Sequence, residues 1–369
     1  MTANQKILQE LFAAGRIDIN RGPLFDTSPD PMPADLDFTR VEGMMLGLAV
    51  GDSLGATSES MPPPRRRELL GYIDSYLPHP YAQGKAIGLP TDDTQLAFRT
   101  LEQMLTDGCL DVRRLAERFC SEHIFGLGST VMRFLANYKE GGREWYECGP
   151  KSAGNGALMR IAPLVIPHLR GAGSELWADT ALAAMLTHND SASIASCLAL
   201  VNMLRQLLVM EAAPAPFWYL DTFVATTQEL EKDAGYRARG GRYTSFEGTL
   251  WQFVDRYVRT SYEEGLPVLE ACESWHSGAY LLETVPCVLY IMMMCGHNLE
   301  EAVLAAVNDT RDNDTIAAVV GALSGALHGR KAIPARWLDG LPGRTGCYDD
   351  GRIYELLQQA RSRWVHFAR

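Results

Sequence analysis

Two short stretches of this chain gather oxygen-bearing side chains more densely than a helix start requires. Thr91, Asp92, Asp93 and Thr94 stand together in "LPTDDTQ", and Asp312, Asp314 and Thr315 stand together in "NDTRDNDT". An apolar run spaced at three and four follows each stretch, which predicts a helix. A single Thr or Asp is enough to cap a helix, and acids there complement the helix dipole. Two acids with threonines exceed that need. Carboxylate and hydroxyl oxygens are the hard donors that Mg2+ and Ca2+ prefer. If the two starts met in space, their carboxylates would repel one another unless cations lay between them. A pair of divalent ions roughly 3.5–4 Å apart resolves such a cluster and organises hydrolysis.

Glycines recur at every fourth residue in "GMMLGLAVGDSLGATSE", at Gly43, Gly47, Gly51 and Gly55, and again after the second acidic start at Gly321, Gly325 and Gly329. Glycine in a helix interior costs roughly 1 kcal/mol against alanine. The ladders therefore predict helices whose backbones come close, and if these two pack together the acidic starts meet. Asp52 and Glu59 lie on or beside the first ladder. A carboxylate there is expensive unless it is paired or binds a metal. Two more segments carry chemistry of their own. "PKSAGNGALMR" sets Gly154, Asn155 and Gly156 in a tight turn before an apolar segment. Backbone N–H groups of such a turn can cradle a phosphate, although glycine turns are common. "LTHND" ends one helix at His188 and offers Asn189 and Asp190 as caps for the next. A lone histidine there is more often structural than catalytic.

The elements that position these residues read as helices. "LAERFCSEHIFGLGSTVMRFLANY", "ELWADTALAAMLTH", "SASIASCLALVNMLRQLLVMEAA" and "VPCVLYIMMMCGHNLEEAVLAAV" all carry helical spacing, with Gly/Pro/Asn-rich breaks between them. Period-two alternation is hard to find, so the fold class is all-α. The charged, Gly-rich stretch 231–248 reads as a surface loop. A length of 369 residues with 47% hydrophobic content allows a large core. The net charge of −11 argues against non-specific nucleic-acid binding and against an anionic membrane surface. Apolar runs are too short to span a bilayer, and the N-terminus lacks the basic and apolar regions of a secretory signal. The 8 cysteines include no Cys-x-x-Cys pair, which fits reduced thiols in a cytoplasmic protein and gives no zinc site.

Residues 1–38 differ in character. Ile7, Leu8, Leu11 and Phe12 form an apolar stripe on a short helix that Gly15 could end, and "GPLFDTSPDPMPADLD" follows with four prolines. Such an arm either lies on its own domain or docks on another protein, and the composition favours neither.

Five segments in this order, "GLAVGDSLGATSE", "TDDT", "GNGALMRIAP", "THND" and "DNDTIAAVVGALSGALHG", resemble the ADP-ribosylglycohydrolase family, which includes the dinitrogenase reductase-activating glycohydrolase. The resemblance covers roughly residues 40–330. It implies a single large orthogonal helical domain over 39–369, preceded by the arm, with two Mg2+ (or Mn2+) in a central cleft. By matching position, Thr91, Asp92 and Asp93 would hold one metal, Asp312 and Thr315 the other, and Asp314 would bridge. Glu59 matches the family's glutamate near the metals, and either it or a metal-bound water could serve as base. Ser152, Gly154, Asn155 and Gly156 would hold the diphosphate or adjacent ribose, with His188 lining the pocket. The implied reaction is removal of ADP-ribose from a modified arginine. A serine-linked or small-molecule conjugate, or a toxin-binding inhibitor on the same fold, are the alternatives. Arg311 and Asn313 depart from the family's Gly-Gly-Asp-Thr-Asp-Thr pattern, as Ala157 and Leu158 do from its smaller residues. The arm points to an immunity protein that counteracts an ADP-ribosyltransferase toxin, with residues 1–38 as a docking element.

Overall fold

The computed structural model describes residues 1–121, 123–170, 173–232, 235–343 and 351–364. The chain runs through α1 (Ala3–Ala13), α2 (Phe38–Gly55), α3 (Pro63–Leu70), α4 (Asp92–Asp107), α5 (Val112–Ser121) and α6 (Ser129–Glu140). It continues through α7 (Glu175–Thr187), α8 (Ser191–Leu207), α9 (Phe217–Thr227), α10 (Leu250–Glu263) and α11 (Val268–Ser274). It closes with α12 (Leu281–Cys295), α13 (Leu299–Asp309), α14 (Asn313–His328), α15 (Ala335–Asp339) and α16 (Arg352–Trp364). The all-α expectation holds. One antiparallel pair of two-residue strands, Tyr236–Arg237 with Glu247–Gly248, is the sheet among the described residues.

The glycine ladders do what their spacing predicts. A Cβ on Gly47 would overlap the carbonyl of Gly321, one on Gly325 the carbonyl of Gly43, and one on Gly51 the carbonyl of Ala317. Low residue numbers on α2 meet high numbers on α14, so the two helices run antiparallel with their backbones in contact. At the far end, Gly55 abuts the backbone of Asn313 and Asp314. The ladder thus ends at the acidic start of α14. Gly329 ends α14 with φ +75°, a conformation that favours glycine, and its backbone abuts Gly43, while Ala317 takes the rung opposite Gly51.

Two expected long helices are broken. The 115–138 segment divides between α5 and α6, and its break carries Gly126 (φ +83°) against Thr91 and Asp92. The backbone that would have continued the helix instead points Gly128 N–H at Asp92. The 285–307 segment divides at Gly296, and Asn298 caps α13. The 231–248 stretch is more than a surface loop. Glu231 is buried and accepts from the first amides of α10, Leu250 and Trp251, and the buried Tyr236 hydroxyl donates to Asp190.

The arm lies on its own domain. Thr2 and Gln5 form a capping box at α1, and Leu8 and Leu11 are buried against α7. Farther along, Trp177 Nε1 donates to the Thr27 carbonyl and Arg205 to that of Asp30. Seven cysteines are free thiols, and Cys347 lies outside the described residues. No described helix is long and apolar enough to cross a membrane.

Candidate active site

Neither acidic start uses its oxygens as a cap. Thr91 at the start of α4 and Asp312 at the start of α14 make no side-chain capping bond. Thr91 turns its hydroxyl to Asp52 instead, and Asp312 enters one cleft, which it lines with Glu59, Asp92, Asp93, Asp314 and Thr315 together with Gly154, Asn155, Gly156 and His188.

The α4 side is organised by Asp52. This fully buried carboxylate accepts from the N–H and hydroxyl of Thr91 (2.9 and 2.8 Å) and from the N–H and hydroxyl of Thr94 (3.0 and 2.6 Å). Drawing the Thr91 proton to Asp52 leaves that oxygen's lone pairs on the Asp93 side. Thr91 Oγ1 is also 3.2 Å from Asp93 Oδ2. Asp93 Oδ1 is buried with no hydrogen-bond partner.

The α14 side rests on different groups. Asn155 Nδ2 donates to Asp312 Oδ2 at 2.6 Å and to Thr284 Oγ1 at 3.0 Å. Asp312 N–H donates to the carbonyl of Ser277, a buried residue at φ 46° following His276 at φ 71°. Two successive left-handed non-glycine residues are costly and cluster at functional sites. Asp314 Oδ1 accepts from its neighbour Thr315 N–H (2.9 Å), and Thr315 Oγ1 is 3.5 Å from Asp93 Oδ2. That last distance joins the two halves.

Among the described residues, ligand-type oxygens of Asp52, Asp93 and Asp314 lie within 4.8 Å of one another, as do those of Glu59, Asp312 and Asp314. Asp314 belongs to both groups. Burial pushes Asp92, Asp93 and Asp314 well above the ordinary carboxylate range, and the neighbouring acids push them further. Asp312 is pushed up to about 7, by burial first and then by Glu59. Glu59 is raised too, by burial and then Asp52, although it is the solvent-exposed member of the cluster. Hard oxygens, an orphaned Asp93 oxygen and mutual repulsion all fit divalent cations, whose charge reverses the balance. Asp52 fits a cation less well than its neighbours do, because its oxygens are already filled by threonine donors.

The glycine turn is tighter than its sequence suggests. Gly154 N–H is spent on Ser152 Oγ (3.3 Å) and Asn155 N–H on the Ala279 carbonyl (3.1 Å). Ser152 Oγ also meets Thr130 Oγ1 at 3.0 Å. The segment after the turn is a short 3-10 helix, Leu158–Arg160. His188 is buried, with Nδ1 2.9 Å from Thr187 Oγ1, and its ring packs against Gly154 and Gly156. Burial, then Arg160, lowers its pKa to about 3, so the ring is neutral at physiological pH. Asp190 caps α8 as expected; Asn189 does not.

Arg311 has its Nε buried without a hydrogen-bond partner, reaching neither Asp312 nor Asp314. Its contribution is backbone: its carbonyl accepts from Ser60 N–H (2.8 Å), holding the residue after Glu59 at φ 65°. Asn313 donates to Ser58 Oγ and the Val307 carbonyl, so its side chain braces the turn rather than entering the cleft. The roles of Asp52, Ser277 and Gly128 were not legible beforehand. Asp52 alone had a signal, as a carboxylate inside a glycine ladder.

A family model described as ADP-ribosylglycohydrolase matches residues 32–364. The chain belongs to the ADP-ribosylglycohydrolase family. It is 27% identical over 330 residues to the ADP-ribosylarginine hydrolase Tri1 of Serratia proteamaculans, covering 86% of this chain and 79% of that one. It is 27% identical to the ADP-ribosyl-[dinitrogen reductase] glycohydrolase of Rhodospirillum rubrum, over 82% and 90% of the two chains. The mouse ADP-ribosylhydrolase ARH3 is 26% identical over 83% and 88%. A solved ADP-ribosylglycohydrolase-related protein complex superposes with a TM-score of 0.64 at 27% identity, over 89% of this chain and 97% of that one. The chemistry of the ADP-ribosylglycohydrolase family is hydrolysis of ADP-ribose conjugates, and the cleft is where this chain's acids converge.

Proposed function

We propose that this cleft hydrolyses the N-glycosidic bond between ADP-ribose and an arginine side chain of a modified protein, with two Mg2+ or Mn2+ bound. The observation that carries the reading is Asp314, shared by two oxygen triads at the mutual end of two interlocked helices. Thr91, Asp92 and Asp93 would hold one cation, Asp312 and Thr315 the other, and Asp314 both. When bound, such a pair neutralises the carboxylates, orients ribose hydroxyls and supplies an activated water. The chain's own residues do the rest. Asp52 holds the Thr91 hydroxyl with its lone pairs on the Asp93 side, and Asn155 fixes one oxygen of Asp312 so that the other stays available. Neutral His188 and the turn 152–156 form the wall against which the diphosphate or adjacent ribose lies. Glu59, exposed at the cleft and raised in pKa, is placed to hold or accept a proton as the oxocarbenium-like state forms.

Likeness to Tri1 supports arginine as the linkage; immunity against an ADP-ribosyltransferase toxin, in the cytoplasm, is the setting we propose for it. Any docking of such a toxin on residues 1–38 would use the arm's outer face, since Leu8 and Leu11 are turned inward. The test is release of ADP-ribose from an arginine-modified protein, with Mg2+ and with a chelator, beside a serine-modified control. Release is expected with Mg2+, and its loss is expected with chelator and in Asp92→Ala and Asp314→Ala. Full activity in either variant sinks the metal assignment. Release from the serine conjugate alone sinks the arginine reading.

A further inference from the structure

The arm reaches the support of the glycine turn that lines the cleft, not the cleft itself. Residues 16–20 bend past the turn between α7 and α8, with Ile17 and Ile19 each only 2% exposed. Between them, the Asp18 carboxylate takes two lysines. Lys151 Nζ lies 2.8 Å from Oδ2, and Lys232 Nζ lies 2.9 Å from Oδ1. Lys151 belongs to the glycine turn that lines the cleft. Asp18 N–H donates to Asn189 Oδ1 (2.9 Å), and Asn189 Nδ2 donates back to the Arg16 carbonyl (2.8 Å). Asn189 N–H in turn donates to the Pro150 carbonyl at 3.1 Å. Asn189 is thus clamped between the arm and the first residue of the turn, next to His188, whose ring packs on Gly154 and Gly156.

Burial alone would raise the Asp18 pKa, but the hydrogen bonds and charges of Lys151 and Lys232 together lower it, so the carboxylate is charged at neutral pH. On the third side, Asn20 N–H donates to the Leu230 carbonyl and Asn20 Nδ2 to that of Glu231, which fixes the strand of chain that carries Lys232. The far end of the turn is held separately: Leu281 N–H donates to the Ala153 carbonyl, and Gly154 pairs with Tyr280. One end of the turn therefore hangs on α12 and the other on the arm.

We infer that Asp18 is a positioning residue, a latch by which the N-terminal arm sets the near end of the substrate-lining turn 150–156. The inference rests on the proposed binding of ADP-ribose by that turn, but its mechanical part does not. An arm that serves as this latch is part of the enzyme, and a partner that pulls it away would loosen the cleft from a distance.

The test compares Asp18→Asn with the full-length wild type. Amide hydrogen exchange across residues 150–157 is expected to speed up in the variant, while that of α14 is unchanged. ADP-ribose binding, measured by calorimetry, is expected to weaken about three- to five-fold, the range that a solvent-screened ion pair supports. KM should rise by the same factor at unchanged kcat, and high salt should bring the wild type toward the variant. Lys151→Met combined with Asp18→Asn should weaken binding no more than Asp18→Asn alone, as coupled partners do. Unchanged exchange in 150–157 overturns the latch. So does an additive double variant. Faster exchange in a protein whose wild type binds no ADP-ribose keeps the latch and removes the proposed function instead.

Discussion

At the start of α4 the supporting group is an acid, Asp52, which accepts from Thr91 and Thr94; at the start of α14 it is an amide, Asn155, with the Ser277 carbonyl beneath it. The two halves prepare their oxygens by opposite means. An acceptor behind threonine hydroxyls draws their protons to itself. A donor behind a carboxylate ties one of its oxygens and leaves the other. The acidic support adds a charge to a crowded site, whereas the amide adds none. The α4 half should therefore be the less tolerant of change, since removing Asp52's charge both frees the hydroxyl protons and alters the field on Asp93.

The largest effect should come from breaking what the halves share. Gly47→Leu forces a side chain into the Gly321 carbonyl, where backbone rather than a flexible chain stands in the way. Overpacking usually costs about 1–3 kcal/mol, and an immovable backbone places this case at or beyond ~3 kcal/mol. Urea unfolding reads it, and a variant within ~1 kcal/mol of wild type would mean the helices can part cheaply. Next come the supports. Asp52→Asn should lower hydrolysis about 10- to 100-fold and Asn155→Ala about 10-fold, the scale of groups that orient metal ligands. Steady-state rates with saturating Mg2+ decide it; an equal or reversed ranking removes the distinction between acidic and amide support.

The smallest effect is on pH dependence. Asp312 sits at about 7 against an ordinary 3.8, so its contribution to stability is full below the ordinary value and is lost as pH rises through about 7. Metal-free protein should melt about 2–4 °C lower at pH 8 than at pH 5, and Mg2+ should cancel that drop. A metal-free melting point that climbs over this range would contradict the repulsion on which the paired-cation reading stands.

Much of this arrangement is written locally. Helical spacing gives the elements, and the ladder glycines at 43, 47, 51, 321 and 325 announce a close approach that has no other use. The doubled acids at 92–93 and 312–314 announce more than caps. What escapes the sequence is long-range. Nothing near Asp52 says that two threonines forty residues on will fill it, and nothing near Ser277 marks its left-handed backbone. The 115–138 segment keeps helical spacing through the break at Gly126 because the reason for the break, Asp92, lies on another helix. The N-terminal arm is ambiguous for the same cause: an apolar stripe does not name the surface that covers it.

The interlock of α2 with α14 also sets an order in time. Rungs 43–55 leave the ribosome before partners about 260–280 residues later in the same chain, and wait for them. Contacts so distant in sequence form late, and until they form, the acids of the two halves never share a space. A nascent or C-terminally shortened chain would carry "TDDT" intact and still lack a centre able to capture paired cations. The proposed metal site waits for α14, and the acids that would repel are kept apart until that backbone is there to hold them.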